Sequence, residues 1–475
     1  MQQKKYLITV KKYWTMKNKI KKIHFVGIGG SGMSGIAEVM HNLGFSVTGS
    51  DSGTSVIIDN LRELGISIYP SHNEKNTIGV DVLVVSSAVK DTNPEIKSAH
   101  NRKIPIIPRA EMLAELMRFK RGVAIAGTHG KTTTTSMTAA ILSKGNLDPT
   151  YVIGGRLNVI NVNAKLGLGE LFIVEADESD ASFLHLNPID AVITNIDNDH
   201  LETYQGDFER LKRTYVDFIH QTPFYGTVFL CVDDREVKSI IPLIARPIIT
   251  YGTNIEAQIQ AVNIAHHEEK MSFTVIDKYF KRTEFDVTIN LPGIHYVNNS
   301  LAAIAIGLDN GVTVKDIQLA LLNFQGVSRR YDIYKNIKVG TKEIMVIDDY
   351  GHHPTEIKAV IDATKKGFPN KEISLVFQPH RYSRTRDCYD DLIEILKIPE
   401  KLFLFDIYSA GEQPIENFSS LKIIKDINKE ENFYLENFDS AQKIISDNIS
   451  DKSILIVMGA GSIGNFAKEF IDLIK

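Results

Sequence analysis

From Lys22 onward, short apolar runs alternate with stretches in which apolar residues recur every three or four positions. Parallel strands joined by amphipathic helices produce that pattern, so the chain reads as α/β. The runs IHFVGI, VTGSD, SIYP, VLVVSS and PIIPR predict strands up to residue 108, followed by a helical stretch from Arg109 to Phe119. A boundary is expected near Lys120 to Gly122. A second series runs through VAIAG, LFIVEAD and AVITNID to a helix from Asn298 to Leu308, and the polar segment Gln325 to Arg330 closes it. The third series has IMVIDD, ISLVFQ, KLFLFD and ILIVMGAG with helices between. The expected division is a basic tail over 1–20 and domains over 21–120, 121–326 and 327–475.

Composition sharpens this picture by exclusion. With 475 residues, and about 150 per domain, three cores are affordable. Lys plus Arg number 54 against 58 Asp plus Glu, a net charge of −4 that offers no global field for gripping nucleic acid. Cys231 and Cys388 stand far apart without metal-ligand spacing, which argues against structural zinc and suits a reducing, cytoplasmic setting. No run reaches the roughly 18 apolar residues of a membrane span, so no membrane insertion is expected. The first 22 residues carry eight lysines, and their one apolar interruption, Tyr6 to Val10, is too short for a signal-peptide core.

Gly27, Gly29 and Gly32 form GxGxxG directly after IHFV, and Asp51 follows the next strand. Alone, this spacing predicts a nicotinamide dinucleotide. Physically it offers backbone N–H groups at a helix start, which suit any pyrophosphate, including that of a nucleotide sugar. A second match at Gly459, Gly461 and Gly464 lies too near the end for a cofactor-binding unit and reads as a close helix-sheet turn. The stronger motif is Gly127-Thr128-His129-Gly130-Lys131-Thr132, between VAIA and TTTTSMTAAILSK. Bare amides, a Lys ammonium and a hydroxyl for Mg²⁺ make a phosphate-binding loop, although position 125 is Ile where the strict pattern has Gly.

Two acidic strand ends come next, Glu175-Ala-Asp177-Glu178-Ser-Asp180 and Asn195-Ile-Asp197-Asn-Asp199-His200. Ligands of parallel sheets sit at carboxyl ends of strands, so these groups can meet the phosphate loop around Mg²⁺, with Glu175 and His200 as candidates. In the third series, Asp348 to Pro354 and Gln378 to Arg386 occupy binding-loop positions. Arg381 and Arg384 can clamp a carboxylate or phosphate, and Arg329 or Arg330 can reach a transferred phosphate.

In their order along the chain, HFVGIGGSGMSGIAEVM, GTHGKTTTT, EADESDASFL, NIDNDH, SRRYD, DDYGHHPTEI, FQPHRYSRT and DIYSAGEQPI resemble the Mur ligase family over nearly the whole length. DDYGHHPTE with FQPHRYSRT looks like the branch that adds L-alanine, not the one that recycles murein tripeptide. The resemblance implies a Rossmann-like first domain for the UDP part of a sugar, a central P-loop-type domain with a mostly parallel sheet for ATP, and a Rossmann-like third domain for the amino acid. It replaces the dinucleotide reading of the Gly27 loop. The implied reaction joins L-alanine to the lactyl carboxylate of UDP-N-acetylmuramate through an acyl phosphate, in cell-wall precursor synthesis, by a monomer or weak homodimer.

By the same resemblance, Gly29, Gly30, Ser31, Gly32, Asp51, His72 and Ser86 are expected on the UDP-sugar. Gly127, Thr128, His129, Gly130, Lys131, Thr132, Thr133, Asn299, Arg330 and Asp349 are expected on ATP, with Asp349 near its ribose. Thr132, Glu175 and His200 are expected near Mg²⁺ or Mn²⁺. Tyr350, His352, Arg381 and Arg384 are expected around the condensing substrates, with Lys131, His200, Arg330 and His352 in catalytic roles. No residue is assigned to the carbamylated Lys of other branches. One departure from the family's GxHNxxN is Gly293-Ile-His295-Tyr296-Val-Asn298-Asn299, where Tyr296 replaces the first Asn. Either Tyr296 stacks on the base of the nucleotide or it packs under the helix. Two rival functions are a nicotinamide oxidoreductase, which leaves the phosphate loop unexplained, and a nucleotide-sugar sensor without turnover.

Overall fold

The computed structural model describes residues 14–86, 88–154, 164–281 and 284–472, so the basic tail lies outside it up to residue 13. Three sheets carry the chain, and the fold is α/β as the alternation predicts. The first contains β1 (Lys22–Val26), β2 (Ser46–Ser50), β3 (Ser67–Tyr69), β4 (Val82–Val85) and β5 (Ile106–Pro108), all parallel in the order β3-β2-β1-β4-β5. Successive strands leave β1 in opposite directions, so the order reverses between β1 and β4. In such sheets the crevice beyond the carboxyl ends at that reversal takes the ligand.

The second sheet contains β6 (Arg121–Ala126), β7 (Thr150–Val152), β8 (Ala164–Lys165), β9 (Leu171–Glu175), β10 (Asp190–Ile193), β11 (Val228–Cys231), β12 (Ile248–Gly252), β13 (Ile259–His267), β14 (Lys270–Asp277) and β15 (Phe285–Ile289). Its order is β15-β14-β13-β12-β11-β10-β6-β9-β7-β8, with β6 parallel to β9 on one side and to β10 on the other. The third contains β16 (Asp332–Val339), β17 (Lys342–Asp349), β18 (Ile373–Phe377), β19 (Lys401–Phe405), β20 (Asn432–Leu435) and β21 (Ile454–Met458), ordered β16-β17-β21-β18-β19-β20. Only the β16–β17 hairpin is antiparallel there, and β21, the latest of these six strands in sequence, lies inside the sheet.

The chain folds as two compact units. One comprises Met1–Val262, Val275–Phe285 and Asn298–Leu321, and the other Asn263–Thr274, Asp286–Val297 and Leu322–Lys475. Within the first unit, sequence patterning separates two sheets near residue 120, yet a single apolar core runs from Ile23 to Ile240. The helix Ser31–Asn42 joins them: it lies against β2 and also against β7 and β8, and buries Met33, Ile36, Ala37 and Met40. The helix expected from Asn298 begins earlier and spans Ile294–Asp309.

Candidate active site

Several helices here begin with a polar cap, as Ser55 Oγ accepts the Ile58 N–H and Asp207 accepts the Arg210 N–H. Two begin on a glycine. The helices Ser31–Asn42 and Lys131–Lys144 open on Gly30 and Gly130, and neither has a side-chain cap among the described residues. Their first N–H groups stand at the carboxyl edges of β1 and β6, where helix starts favour anions.

At the first of these edges, Asp51 braces the loop by accepting the Gly29 N–H at 2.8 Å and the Gly53 N–H at 2.9 Å. Ser86 sits against Gly27, where an added Cβ would lie 3.4 Å from its own Cβ. A Cβ on Gly32 would come within 2.5 Å of Arg109 Nη1, and Arg109 in turn pairs with Asp177 at 3.2 Å. His72 is half-buried at the same edge, with Nδ1 3.0 Å from Glu95. Gly29, Gly30, Gly32, Asp51, His72 and Ser86 thus cluster around one loop, and the Ser31 backbone begins its helix.

At the second edge the loop is built for close approach. Gly127 has φ +135, and a Cβ there would lie 2.0 Å from Thr194 Oγ1; Gly130 has φ +79, and a Cβ there would lie 2.6 Å from Asn299 Oδ1. Only glycine fits both positions. The end of β10 holds the loop: Asn195 Oδ1 accepts the His129 N–H at 2.8 Å, Thr194 Oγ1 donates to His129 O at 2.7 Å, and Thr128 Oγ1 accepts the Asp197 N–H at 2.9 Å. His129 Nε2 is 2.9 Å from Asp197 Oδ2.

Lys131 Nζ folds back into this loop and donates to Gly127 O at 2.6 Å and to both Glu178 oxygens at 2.8 and 2.7 Å. Burial alone would lower its ammonium, but Glu178 and Asp177 outweigh that and keep it charged. Thr132 Oγ1 donates to Glu175 Oε2 at 3.2 Å, while Glu175 Oε1 accepts the Gly154 N–H at 2.8 Å. A hydroxyl and a carboxylate side by side are hard oxygen donors and fit a magnesium ion. His200 stands at the β10 end paired with Asp199, Nε2 to Oδ2 3.5 Å. Thr133 is buried in the first helical turn.

The second unit brings its own candidates to the carboxyl edge of the third sheet. Arg330 faces Glu356 at 3.7 Å and the Tyr350 ring at 5.2 Å. Asp349 Oδ1 accepts the Gly351 N–H at 2.7 Å and Oδ2 accepts the Tyr331 N–H at 2.9 Å, and burial pushes its carboxyl up to about 6. His352 Nδ1 lies 3.1 Å from Tyr350 O, a pure acceptor, so Nδ1 carries the proton and Nε2 the lone pair. Burial pushes this imidazole down to about 3, which leaves it neutral. Arg381 Nε donates to Glu412 Oε1 at 2.5 Å, and Arg384 Nη1 lies 3.2 Å from His380 Nδ1. His380 stacks on Tyr408 with centroids 5.5 Å apart.

Tyr296 is 3 % exposed, tilted against His295 with centroids 4.1 Å apart, which favours packing over stacking on a base. Arg329 serves the fold: it pairs with Asp348 at 3.1 Å, donates to Gly459 O at 2.8 Å, and would clash with a Cβ on Gly464 at 2.6 Å. The terminal glycine motif is therefore the close turn its position suggests. Glu178, Asn195, Glu356 and Glu412 support the site without being singled out by residue type. Each nevertheless falls inside a motif segment, respectively EADESD, NIDNDH, DDYGHHPTEI and DIYSAGEQPI. Glu95 carries no such signal.

Family models match in succession along the chain: Mur ligase family, catalytic domain, over residues 22–121; Mur ligase middle domain over 125–307; and Mur ligase, glutamate ligase domain, over 329–461. A UDP-N-acetylmuramate--L-alanine ligase of Neisseria gonorrhoeae is 48% identical over 468 residues, covering 97% of this chain and 99% of the relative. Its counterpart in Neisseria meningitidis serogroup A is also 48% identical, with the same coverage. Among solved structures, a UDP-N-acetylmuramate-alanine ligase of Thermotoga maritima superposes with a TM-score of 0.80 at 28% identity, over 95% of this chain and 98% of that one. A murein peptide ligase of Psychrobacter arcticus, at 23% identity and TM-score 0.72, over 96% of this chain and 98% of that one, shares the fold. With uncapped glycine loops at two parallel-sheet edges and three family domains in register along the sequence, the chain belongs to the Mur ligase family.

Proposed function

We infer that this protein is an ATP-dependent ligase that joins L-alanine to the lactyl carboxylate of UDP-N-acetylmuramate, giving ADP and phosphate, in peptidoglycan precursor synthesis. The observation that carries this reading is 48% identity across 97% of the chain to ligases of that name. In the proposed division of labour, residues 21–120 hold the UDP-sugar, 121–326 ATP and 327–475 the amino acid. The uncapped starts at Gly30 and Gly130 support the first two assignments.

The γ-phosphoryl group passes from ATP to the lactyl carboxylate, the amine of L-alanine attacks the acyl phosphate, and the tetrahedral adduct expels phosphate. Negative charge grows on oxygen in both steps, so fixed positive charge and positioning supply most of the acceleration. Lys131 exchanges Glu178 for the phosphate chain, and Arg330 neutralises the transferring group. Thr132 and Glu175, with His200 on the neighbouring strand end, would hold magnesium, which when bound offsets phosphate charge. Neutral His352 takes a proton from the attacking amine at Nε2. Arg381 and Arg384 bind the amino-acid carboxylate, and Asn299 and Asp349 the nucleoside of ATP. No described helix is long and apolar enough to cross a membrane. The two free cysteines suit the reducing cytoplasm.

Phosphate release requires UDP-N-acetylmuramate, ATP and L-alanine together, because the acyl phosphate is shielded from water until an amine arrives. Equal release in the absence of amino acid removes the ligase assignment. Tight UDP-sugar binding with no ADP formed establishes a sensor instead.

A further inference from the structure

A carboxylate is hidden beneath the UDP-sugar loop. Glu95 lies in the first turn of the helix Pro94–Arg102, which comes after β4, and is fully buried at 0 % exposure. Its Oε1 accepts from Asn76 Nδ2 at 2.5 Å and faces His24 Nε2 at 3.4 Å. Its Oε2 accepts from Ser50 Oγ at 2.6 Å and lies 3.0 Å from His72 Nδ1. Behind them, His24 Nδ1 meets Thr48 Oγ1 at 2.8 Å. Burial alone would raise the Glu95 carboxyl, yet the neighbouring His24 ring and hydrogen bonds from Ser50 and Asn76 hold it down to about 2, so it is an anion.

The donor count fixes the proton on His72. A carboxylate only accepts, and Ser50 has one hydroxyl proton, which goes to Glu95. Ser50 Oγ, 3.0 Å from His72 Nδ1, is therefore an acceptor toward the ring. Both neighbours of Nδ1 accept, so Nδ1 carries hydrogen and the ring turns its Nε2 edge away from the carboxylate. The residue after Ser50 is Asp51, which braces Gly29. The network thus ends at the loop that receives the nucleotide sugar.

We propose that Glu95 is a positioning residue of the nucleotide-sugar site: it sets the tautomer and ring orientation of His72, which touches the UDP portion of the substrate. This rests on the reading that the first domain holds UDP-N-acetylmuramate. A buried carboxylate behind a ligand-binding imidazole is a recurrent way to lock such a ring.

Binding of UDP-N-acetylmuramate and of ATP to the full chain, measured by titration calorimetry, tests this. Glu95→Gln and His72→Ala are each expected to raise the Kd for the UDP-sugar about tenfold, the scale of one oriented polar contact, with the Kd for ATP unchanged. The double variant is expected to bind no more weakly than His72→Ala, since both changes remove one interaction. If His72→Ala weakens binding and Glu95→Gln does not, or if the two effects multiply in full, the proposal fails and the UDP-sugar site stands. If His72→Ala binds like the parent, His72 does not touch the nucleotide, and the proposal falls with that assignment. Should Glu95→Gln not fold, ¹⁵N NMR of the parent decides: a proton-bearing Nδ1 on His72 is expected, and a lone-pair Nδ1 overturns the proposal.

Discussion

Lys131 is paired to Glu178 inside its own loop, which keeps its ammonium charged despite burial. Lys131→Ala is expected to lower turnover by on the order of 10³ or more while UDP-sugar binding stays near the parent value, because in the proposed mechanism the ammonium acts on the moving phosphoryl group and not on the UDP portion. Initial rates and calorimetry check both halves, and activity within about tenfold of the parent rejects the assignment. His352 makes a pH argument. Its imidazole is held down to about 3, so it is already a base above pH 5 and loses that character only as pH falls toward 3. At saturating L-alanine, kcat should show no acid limb of its own near the ordinary histidine value of about 6.5. A limb there that vanishes in His352→Ala excludes His352, as arranged here, from proton transfer.

Among the elements, those with an apolar run ending in a chemical motif are legible from sequence. β1, β6, β9, β10, β17 and β18 each combine both signals, and their carboxyl ends carry most of the candidate residues. Strands lacking the second signal are recovered unevenly: β3 and β5 are read from their apolar runs, whereas β14 and β16 are not. β14 alternates with Met271, Phe273 and Val275 buried and polar residues between, a period of two at the margin of its sheet. β16 is an edge strand with as many polar as apolar residues, no strict alternation, and a register irregularity between Tyr334 and Ile337. Glu95 is illegible for a different reason. Its partners His24, Ser50, His72 and Asn76 are scattered over more than one strand and loop, and only the folded sheet converges them. In the helix Ile294–Asp309, Tyr296 is buried, so Tyr296→Asn should cost about 2–4 kcal/mol of stability and leave the ATP-to-GTP preference unchanged. Thermal melting and paired kcat/KM values test this, and a tenfold change in preference without loss of stability favours base stacking.

The whole molecule inherits its division from cores more than from motifs. Patterning separates residues 21–120 from the central series, but Ile23 and Phe25 belong to the same apolar cluster as Phe172 and Leu230. A fragment ending at residue 120 would expose the face of Ser31–Asn42 that lies against β7 and β8. It is expected to aggregate or melt without cooperativity, and a dispersed NMR spectrum with a sharp thermal transition shows instead that it folds alone. The third sheet has a different dependence, set by time. Its interior strand, β21, is Ile454–Met458, and β17 and β18 meet only through it. A ribosome delivering about 5–20 residues per second finishes β18 at Phe377 well before it reaches Ile454, and until then those two strands lack their common neighbour. For that interval the nascent chain presents two open, apolar strand edges to the cell, the kind of surface that invites wrong pairing. Closure of this sheet thus waits on residues 454–458, and a chain cut short before residue 454 lacks the strand that joins β17 to β18.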